Sequence, residues 1–290
     1  MLNRQIASLQ DQSVRDWQCL VFDDASTDRT VVERAVAGDP RFTIMPTRPH
    51  MGVYAAFEHL LIAASETVPI FLADQDDVWY PHKMQTLLSV GETAFSGMRV
   101  VDDRGRVLRD RFLPRDPSSA SLSPAGLLMM NSASGTALMI SQNVRRCALP
   151  FPGGHLRGWH DQWLAAVAAR TEELHYVDEV LVDYTQHSGQ VVGDGLRRVH
   201  GRAIRAFAAR LHSFGFRNEL AGRSEWVKMA AGQLLRMPGP PDPELEALAA
   251  GDFAGCLFRA VARREVPIQR AALLVAGSVA TGDPRRRAYH

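Results

Sequence analysis

Three carboxylates directly follow a short apolar run. In the stretch Thr67–Lys83, TVPIFLADQDDVWYPHK, the run Val68–Ala73 leads straight into Asp74, Asp76 and Asp77. An apolar run of that length between polar residues reads as a buried strand. Burying like charges together without a partner is costly. A carboxylate cluster closing such a strand therefore belongs at the sheet edge, holding a cation. Hard divalent ions such as Mg²⁺ or Mn²⁺ take oxygen ligands, often one or two carboxylates together with substrate phosphates. The spacing points to a metal–diphosphate site at the carboxyl end of a strand, where open α/β sheets bind ligands. The competing reading is a solvated acidic turn capping a helix that starts near Pro81.

Two further places carry chemistry-bearing types. Asp23 and Asp24 close a second apolar run, Trp17–Phe22, so two strands ending in Asp pairs can face one crevice. Asp161 opens a helical pattern, Asp161-Gln-Trp-Leu-Ala-Ala-Val-Ala, in which its structural reading is an N-cap. His160 beside it is given no chemistry. Trp159 and Trp163 could fill a core, and His187 could be a surface loop histidine.

The elements that must position these residues alternate. Leu2–Gln12 reads as an amphipathic helix, Trp17–Phe22 as a strand, Arg29–Val36 as a helix and Phe42–Met45 as a strand. A helix over Gly52–Ala64, the strand Val68–Ala73 and a helix from Pro81 to about Val90 follow. Such alternation predicts a parallel α/β sheet. VVDDRGRVLRDRF reads as two short strands around Asp103-Arg-Gly105, and Pro114–Pro124 as a loop. After about Gly195 the chain turns helical: a basic amphipathic helix holding Arg197–Arg210, helices over Glu219–Leu235, Asp242–Ala250 and Phe253–Ala262, and a last one over Val266–Val279. Pro238-Gly-Pro-Pro241 breaks this series.

The ordered motifs carry a resemblance. SLQDQSVRDWQCLVFDDASTDRT, HMGVYAAFEHLLIAA and IFLADQDDVWYPHK resemble a family 2 glycosyltransferase, and the ADQDDVW-P-K form is most similar to the branch with rhamnosyltransferases. Asn131–Thr136, Trp159–Leu164 and Tyr184–His187 extend the likeness, which covers roughly residues 1–193. It implies a GT-A fold, a mostly parallel sheet sandwiched by helices, here without the family's first strand and with a C-terminal helical extension over 194–290. It implies inverting transfer from a nucleotide diphosphate-sugar to a glycan or lipid-linked acceptor in cell-surface polysaccharide synthesis, with rhamnose among the candidate sugars and Mn²⁺ or Mg²⁺ as cofactor. By position, Asp161 is the base and Asp24 contacts the nucleoside. Asp76 and His187 hold the metal, and Asp74 binds the ribose or the metal's water shell. Gly135 and Thr136 bring backbone close to the sugar, with Trp159 and Trp163 as further substrate contacts. His50 stands where relatives tend to carry Asn, and Gly97 where they often carry Asp.

Composition bounds the rest. The 290 residues allow one large or two modest domains, and 46% hydrophobic content supports a real core. A net charge of +1 gives no global field for nucleic acid. Three dispersed cysteines form no CxxC pair or zinc spacing, which fits a reducing cytosol. No run approaches the ~18 apolar residues of a membrane span, and the first residues lack a signal-peptide core. The expectation is a cytoplasmic enzyme, with the arginine-rich C-terminal helices available for peripheral contact at the inner membrane face. Two alternatives stand beside it. One is a phosphotransferase using an Asp nucleophile, disfavoured because lysine is scarce and the carboxylate pair comes late. The other is a non-catalytic or degenerate nucleotide-sugar-binding protein from a shortened gene.

Overall fold

The computed structural model describes residues 1–113, 117, 122–153, 158–171, 174–186 and 214–262. His187, the basic helix around Arg197–Arg210 and the last helix over Val266–Val279 lie outside them.

Helix α1 (Leu2–Gln10) buries Ile6 and Leu9 on its apolar stripe. Strand β1 (Cys19–Val21), helix α2 (Thr30–Val36) and strand β2 (Phe42–Ile44) form a βαβ crossover unit, and β1 pairs with β2 in parallel. Helix α3 (Val53–Ala63) returns the chain to β3 (Ile70–Phe71). The short β4 (Val78–Trp79), helix α4 (Lys83–Leu88), long β5 (Ala94–Asp102) and β6 (Val107–Arg109) follow. Helix α5 (Pro124–Met129), a 3₁₀ turn at Gly135–Ala137, β7 (Leu138–Ile140), α6 (Gln142–Ala148), α7 (His160–Thr171) and β8 (His175–Gln186) complete the sheet region. Three helices close the described chain: α8 (Phe214–Leu235), α9 (Pro243–Ala250) and α10 (Phe253–Ala262).

The larger sheet runs β3-β7-β5-β8-β4, with β6 on β5. Alternation predicts a mostly parallel sheet, yet only β1–β2 and β5–β8 pair in parallel; β3–β7, β5–β7, β4–β8 and β5–β6 are antiparallel. Only β5–β6 is a hairpin of sequence neighbours, for which a short connection favours the antiparallel arrangement. The pairs β3–β7, β5–β7 and β4–β8 join strands far apart in the chain, so alternation along the sequence does not set their direction. The run Val68–Ala73 also pairs less than expected. Val68 is 52% exposed, Ile70 and Phe71 are half-buried, and only Leu72 is fully inside. The strand is an edge: among the described residues, β3 pairs only with β7 and β1 only with β2.

Both sheets nonetheless share a core. Cys19, Val21, Ile44, Phe71 and Ala73 pack with Ile6, Leu9, Trp79 and Met98. Helix α1 is fastened to the segment after the carboxylates by polar contacts. Trp79 N donates to Ser8 Oγ (3.1 Å), Gln12 Nε2 to Tyr80 O (2.9 Å), and Met84 N to Gln12 Oε1 (3.1 Å). A second, larger core lies between α3, α5, α6, α7 and the sheet, and it runs without a break into α8–α10 through Trp226, Val227, Leu234, Leu245 and Leu248. Helix α7 is the centre of it: Trp163 through Ala168 are fully buried. A helix apolar around its whole circumference belongs inside.

Candidate active site

The carboxylates Asp74, Asp76 and Asp77 leave β3 and turn into β4. Their charges meet. The Asp74 carboxyl is raised to about 7, first by burial, then by the negative charges of Asp161 and Asp76, with Lys83 pulling it down. Tyr184, at the end of β8, is pushed up by burial and by Asp77, Asp74, Asp76 and Asp161 together. One neighbourhood thus holds the strand-end carboxylates and the first turn of α7, elements almost ninety residues apart in the chain. Asp77 is fully buried, accepts a hydrogen bond from Thr185 N (2.8 Å), and is driven well above the ordinary carboxylate range by burial.

Lys83 is the counter-charge beneath this cluster. It is fully buried; its Nζ donates to Thr136 O at 2.6 Å and sits 3.0 Å from the centroid of the Trp79 indole. Burial pushes its amine down, while Asp77 and Asp74 hold it up. Trp79 Nε1 in turn donates to Thr136 Oγ1 (3.2 Å). Lys83 and Trp79 therefore staple the carboxylate turn to the 3₁₀ turn before β7.

Asp161 approaches the same turn from the other side. Helix α7 begins at His160 and Trp163 N already bonds Trp159 O, so Asp161 lies inside the first turn and is not the N-cap. Its Oδ2 accepts from Gly135 N (3.1 Å) and its Oδ1 from Gln162 N (2.7 Å). An acidic first-turn residue also complements the helix dipole. Gly135 is required here by close approach. A Cβ on it would stand 2.9 Å from His160 Nε2 and 3.3 Å from Asp161 Cβ. His160 itself is buried, its ring stacked on Phe57 with centroids 3.6 Å apart and planes 7° apart, and burial holds it below its ordinary pKa.

Several expected contacts come out differently. Trp163 is fully buried and donates from Nε1 to Ala148 O (2.9 Å); it is a core residue, out of reach of any sugar face. The helix is buried all round, so its tryptophan points inward. Thr136 is also fully buried, with its hydroxyl and carbonyl oxygens engaged by Trp79 and Lys83; it is scaffolding, not a sugar contact. Trp159 is half-buried beside Asp161, with the Arg223 guanidinium 5.6 Å from its ring centroid. Asp24 serves the backbone: its carboxylate accepts from Met51 N and Gly52 N, both at 2.8 Å, at the start of α3. His50 Nδ1 lies 3.0 Å from Asp24 Oδ2. Ala25 next to it takes φ 66°, a left-handed conformation rare for a residue with a Cβ.

Among the described residues, no three His, Cys, Asp or Glu side chains are arranged as a preformed metal cage. The donor chemistry of Asp74 and Asp76 still fits a hard divalent ion. Asp74 is penalised by neighbouring negative charge, which a cation at the same place would relieve. Asp77 was read as one of the strand-end carboxylates; the residues to which motif reading gave no part are Lys83, Trp79 and Tyr184. A lysine two residues past Pro81 in so arginine-rich a chain was the available signal.

The architecture is that of the GT-A glycosyltransferases. Solved structures sharing it include S. aureus TarS residues 1–349 in complex with UDP-GlcNAc, with a TM-score of 0.53 and 12% identity over 100% of this chain and 89% of that one. A second is the mannosyltransferase PcManGT of Pyrobaculum calidifontis in complex with GDP-Man and Mn²⁺, with a TM-score of 0.51 and 16% identity over 98% of this chain and 77% of that one. Residues 1–109 match the family model described as glycosyl transferase family 2. Among curated proteins, the uncharacterized glycosyltransferase alr2836 of Nostoc sp. is 35% identical over 95 residues, 32% of this chain and 29% of its own length. EpsE of Bacillus subtilis, named a glycosyltransferase by inference, is 26% identical over 159 residues, 50% of this chain and 56% of its own. The chain thus spans between about a third and somewhat over half of the lengths of these two relatives.

Proposed function

We propose that this protein is a family 2 glycosyltransferase that moves a sugar from a nucleotide diphosphate-sugar to a glycan or lipid-linked acceptor with inversion. The observation that carries the reading is the meeting of Asp74 and Asp76 with Asp161 across one turn, inside a GT-A fold.

The residues divide the work. Asp161 takes the proton of the acceptor hydroxyl as that oxygen bonds to the anomeric carbon. The bond from that carbon to the diphosphate oxygen breaks, and the nucleoside diphosphate leaves on the opposite side. A positioned base of this kind contributes roughly 10²–10⁴ in rate. Asp76 and Asp74 are the residues that would hold Mn²⁺ or Mg²⁺, with His187 as a further ligand implied by resemblance. The chemistry supplied there, when the ion is bound, is neutralisation of the leaving diphosphate. Lys83 holds the carboxylates against the 3₁₀ turn, and Gly135 lends its N–H to keep the base turned into the site. Trp159 is a platform for the acceptor, and Asp24 shapes the loop that faces the nucleoside. Rhamnose as the sugar, a role in cell-surface polysaccharide and peripheral contact with the cytoplasmic membrane face through Arg197–Arg210 rest on sequence alone.

Calorimetry with a panel of uridine, guanosine and thymidine diphosphate-sugars tests the donor class. At least one should bind with millimolar Mn²⁺ at least tenfold more tightly than in EDTA, and Asp76→Ala should abolish the difference. Equal affinity with and without metal would overturn the metal assignment, and no binding by any donor would overturn the glycosyl-transfer reading.

A further inference from the structure

Helix α8 lies after the part of the chain that matches the family model, yet it touches the residues on both sides of Asp161. Trp226 is fully buried against the backbone of Gly158, so closely that a methyl group on Gly158 would fall inside the indole. The indole is itself fixed: Trp226 Nε1 donates to Tyr54 Oη (2.9 Å), and that hydroxyl donates to Pro152 O (3.0 Å). One turn earlier on α8, Arg223 Nη2 donates to Gln162 Oε1 (2.5 Å), while its guanidinium lies 5.6 Å from the Trp159 ring centroid and 5.7 Å from that of Trp226. Gln162 spends its other amide end on Leu127 O (2.7 Å) and Leu128 O (2.8 Å) of α5. Both ends of that buried amide meet fixed partners, so the rotation of α7 about its axis is set at residue 162. The neighbouring residue is Asp161. At the far end of α7, Arg170 Nε and Nη2 donate to Leu234 O and Met237 O at the end of α8, at 3.2 and 3.3 Å.

We infer that α8 sets the position of the candidate base: Trp226, seated against Gly158, and Arg223, clamping Gln162, are positioning residues for Asp161, which makes the helical segment after residue 213 part of the transfer machinery. The inference rests on the glycosyl-transfer reading for its consequence in turnover, but not for the coupling itself. Gly158 and Trp159 before the base and Gln162 after it are gripped by the same helix. Losing the Arg223 donor leaves a buried amide oxygen unpaired, and a group so placed reorients or draws in water. Asp161 then loses its alignment with Gly135 N. On the metal side, Asp74 feels the charge of Lys83 and Thr136 bonds Asp77; neither partner lies on α8, so donor affinity is insulated.

The test uses the full chain with Arg223→Met. Donor Kd should stay within about twofold of wild type while turnover falls roughly 10–100-fold. In an Asp161→Asn background the same change should cost less than about twofold, because a residue acting through Asp161 has nothing left to act on. Hydrogen–deuterium exchange should speed up at least about tenfold across residues 158–163 and stay unchanged across 166–171. Should Arg223→Met fail to fold, Gly158→Ala probes the other half of the grip, the Trp226 contact, and Gly158→Ala with Trp226→Leu should recover the slow exchange. Equal losses in the two backgrounds, or unchanged exchange over 158–163, would overturn the inference. If the wild-type chain transfers no sugar, exchange alone decides the coupling, and the fault lies with the glycosyl-transfer reading.

Discussion

At the scale of single residues, the site is a problem in charge. Asp74 is raised to about 7 from an ordinary 3.8 by burial and by Asp161 and Asp76. Between those two values the folded chain holds a proton that the unfolded chain has released. Stability therefore falls as pH rises through this window, and the whole penalty is present above about pH 7. In EDTA, Asp74→Asn should raise the thermal midpoint at pH 8 by at least ~2–4 °C, the shift that about 1 kcal/mol produces in a chain near this size. The gap should close toward pH 4. A midpoint difference that does not depend on pH would contradict the upward shift of this half-buried carboxyl. Trp163 and Trp159 show how nearby residues of one type divide. Both stand in the motif around Asp161, and a motif does not say which side of a helix faces solvent. Trp163 lies on a helix buried all round, so it fills the core, and Trp159 precedes that helix and stays half-exposed.

At the scale of elements, the decisive feature is a staple between turns that are distant in sequence. Lys83 at the start of α4 and Trp79 on β4 both bond Thr136, and Asp161 on α7 takes Gly135 N from the same turn. Lys83→Met should cost about 1–3 kcal/mol, because the Thr136 carbonyl loses its donor in a dry interior. Urea unfolding checks this; an unchanged midpoint would mean that the amine is dispensable to the turn. Much of the element order was legible from periodicity: α1, α2, β2, α3 and the helices over 214–262 fall within a few residues of their expected places. The turn between β5 and β6 is where it was expected, although β5 is long and starts at Ala94 instead of being a short strand after Arg99. Strand direction was not legible, because an apolar run has no sign of which neighbour it will join. Nor was the shortness of β3, whose Val68 end is solvated although its residues read as buried. Among site residues, the carboxylates were legible through their position after a strand. Lys83 was not, since its value depends on Thr136, fifty-three residues later.

At the scale of the whole molecule, the helices after residue 213 share the core of the sheet region. Trp226, Leu234, Leu245 and Leu248 pack in the same cluster as Trp163, Leu164 and Phe95, so the expected division at residue 193 does not mark a break in packing among the described residues. No described helix is long and apolar enough to cross a membrane. On the proposed reading, the metal-side carboxylates close a strand and the base stands on a helix clamped from behind, an arrangement that would separate donor binding from proton transfer. Asp161→Asn is the direct probe of that separation. With a donor and acceptor that the wild type uses, nucleotide-sugar affinity measured by calorimetry should remain within about twofold. Turnover measured on the same preparation should fall by roughly 10²–10⁴. Turnover close to wild type would show that Asp161 is only a first-turn helix residue and would contradict the account.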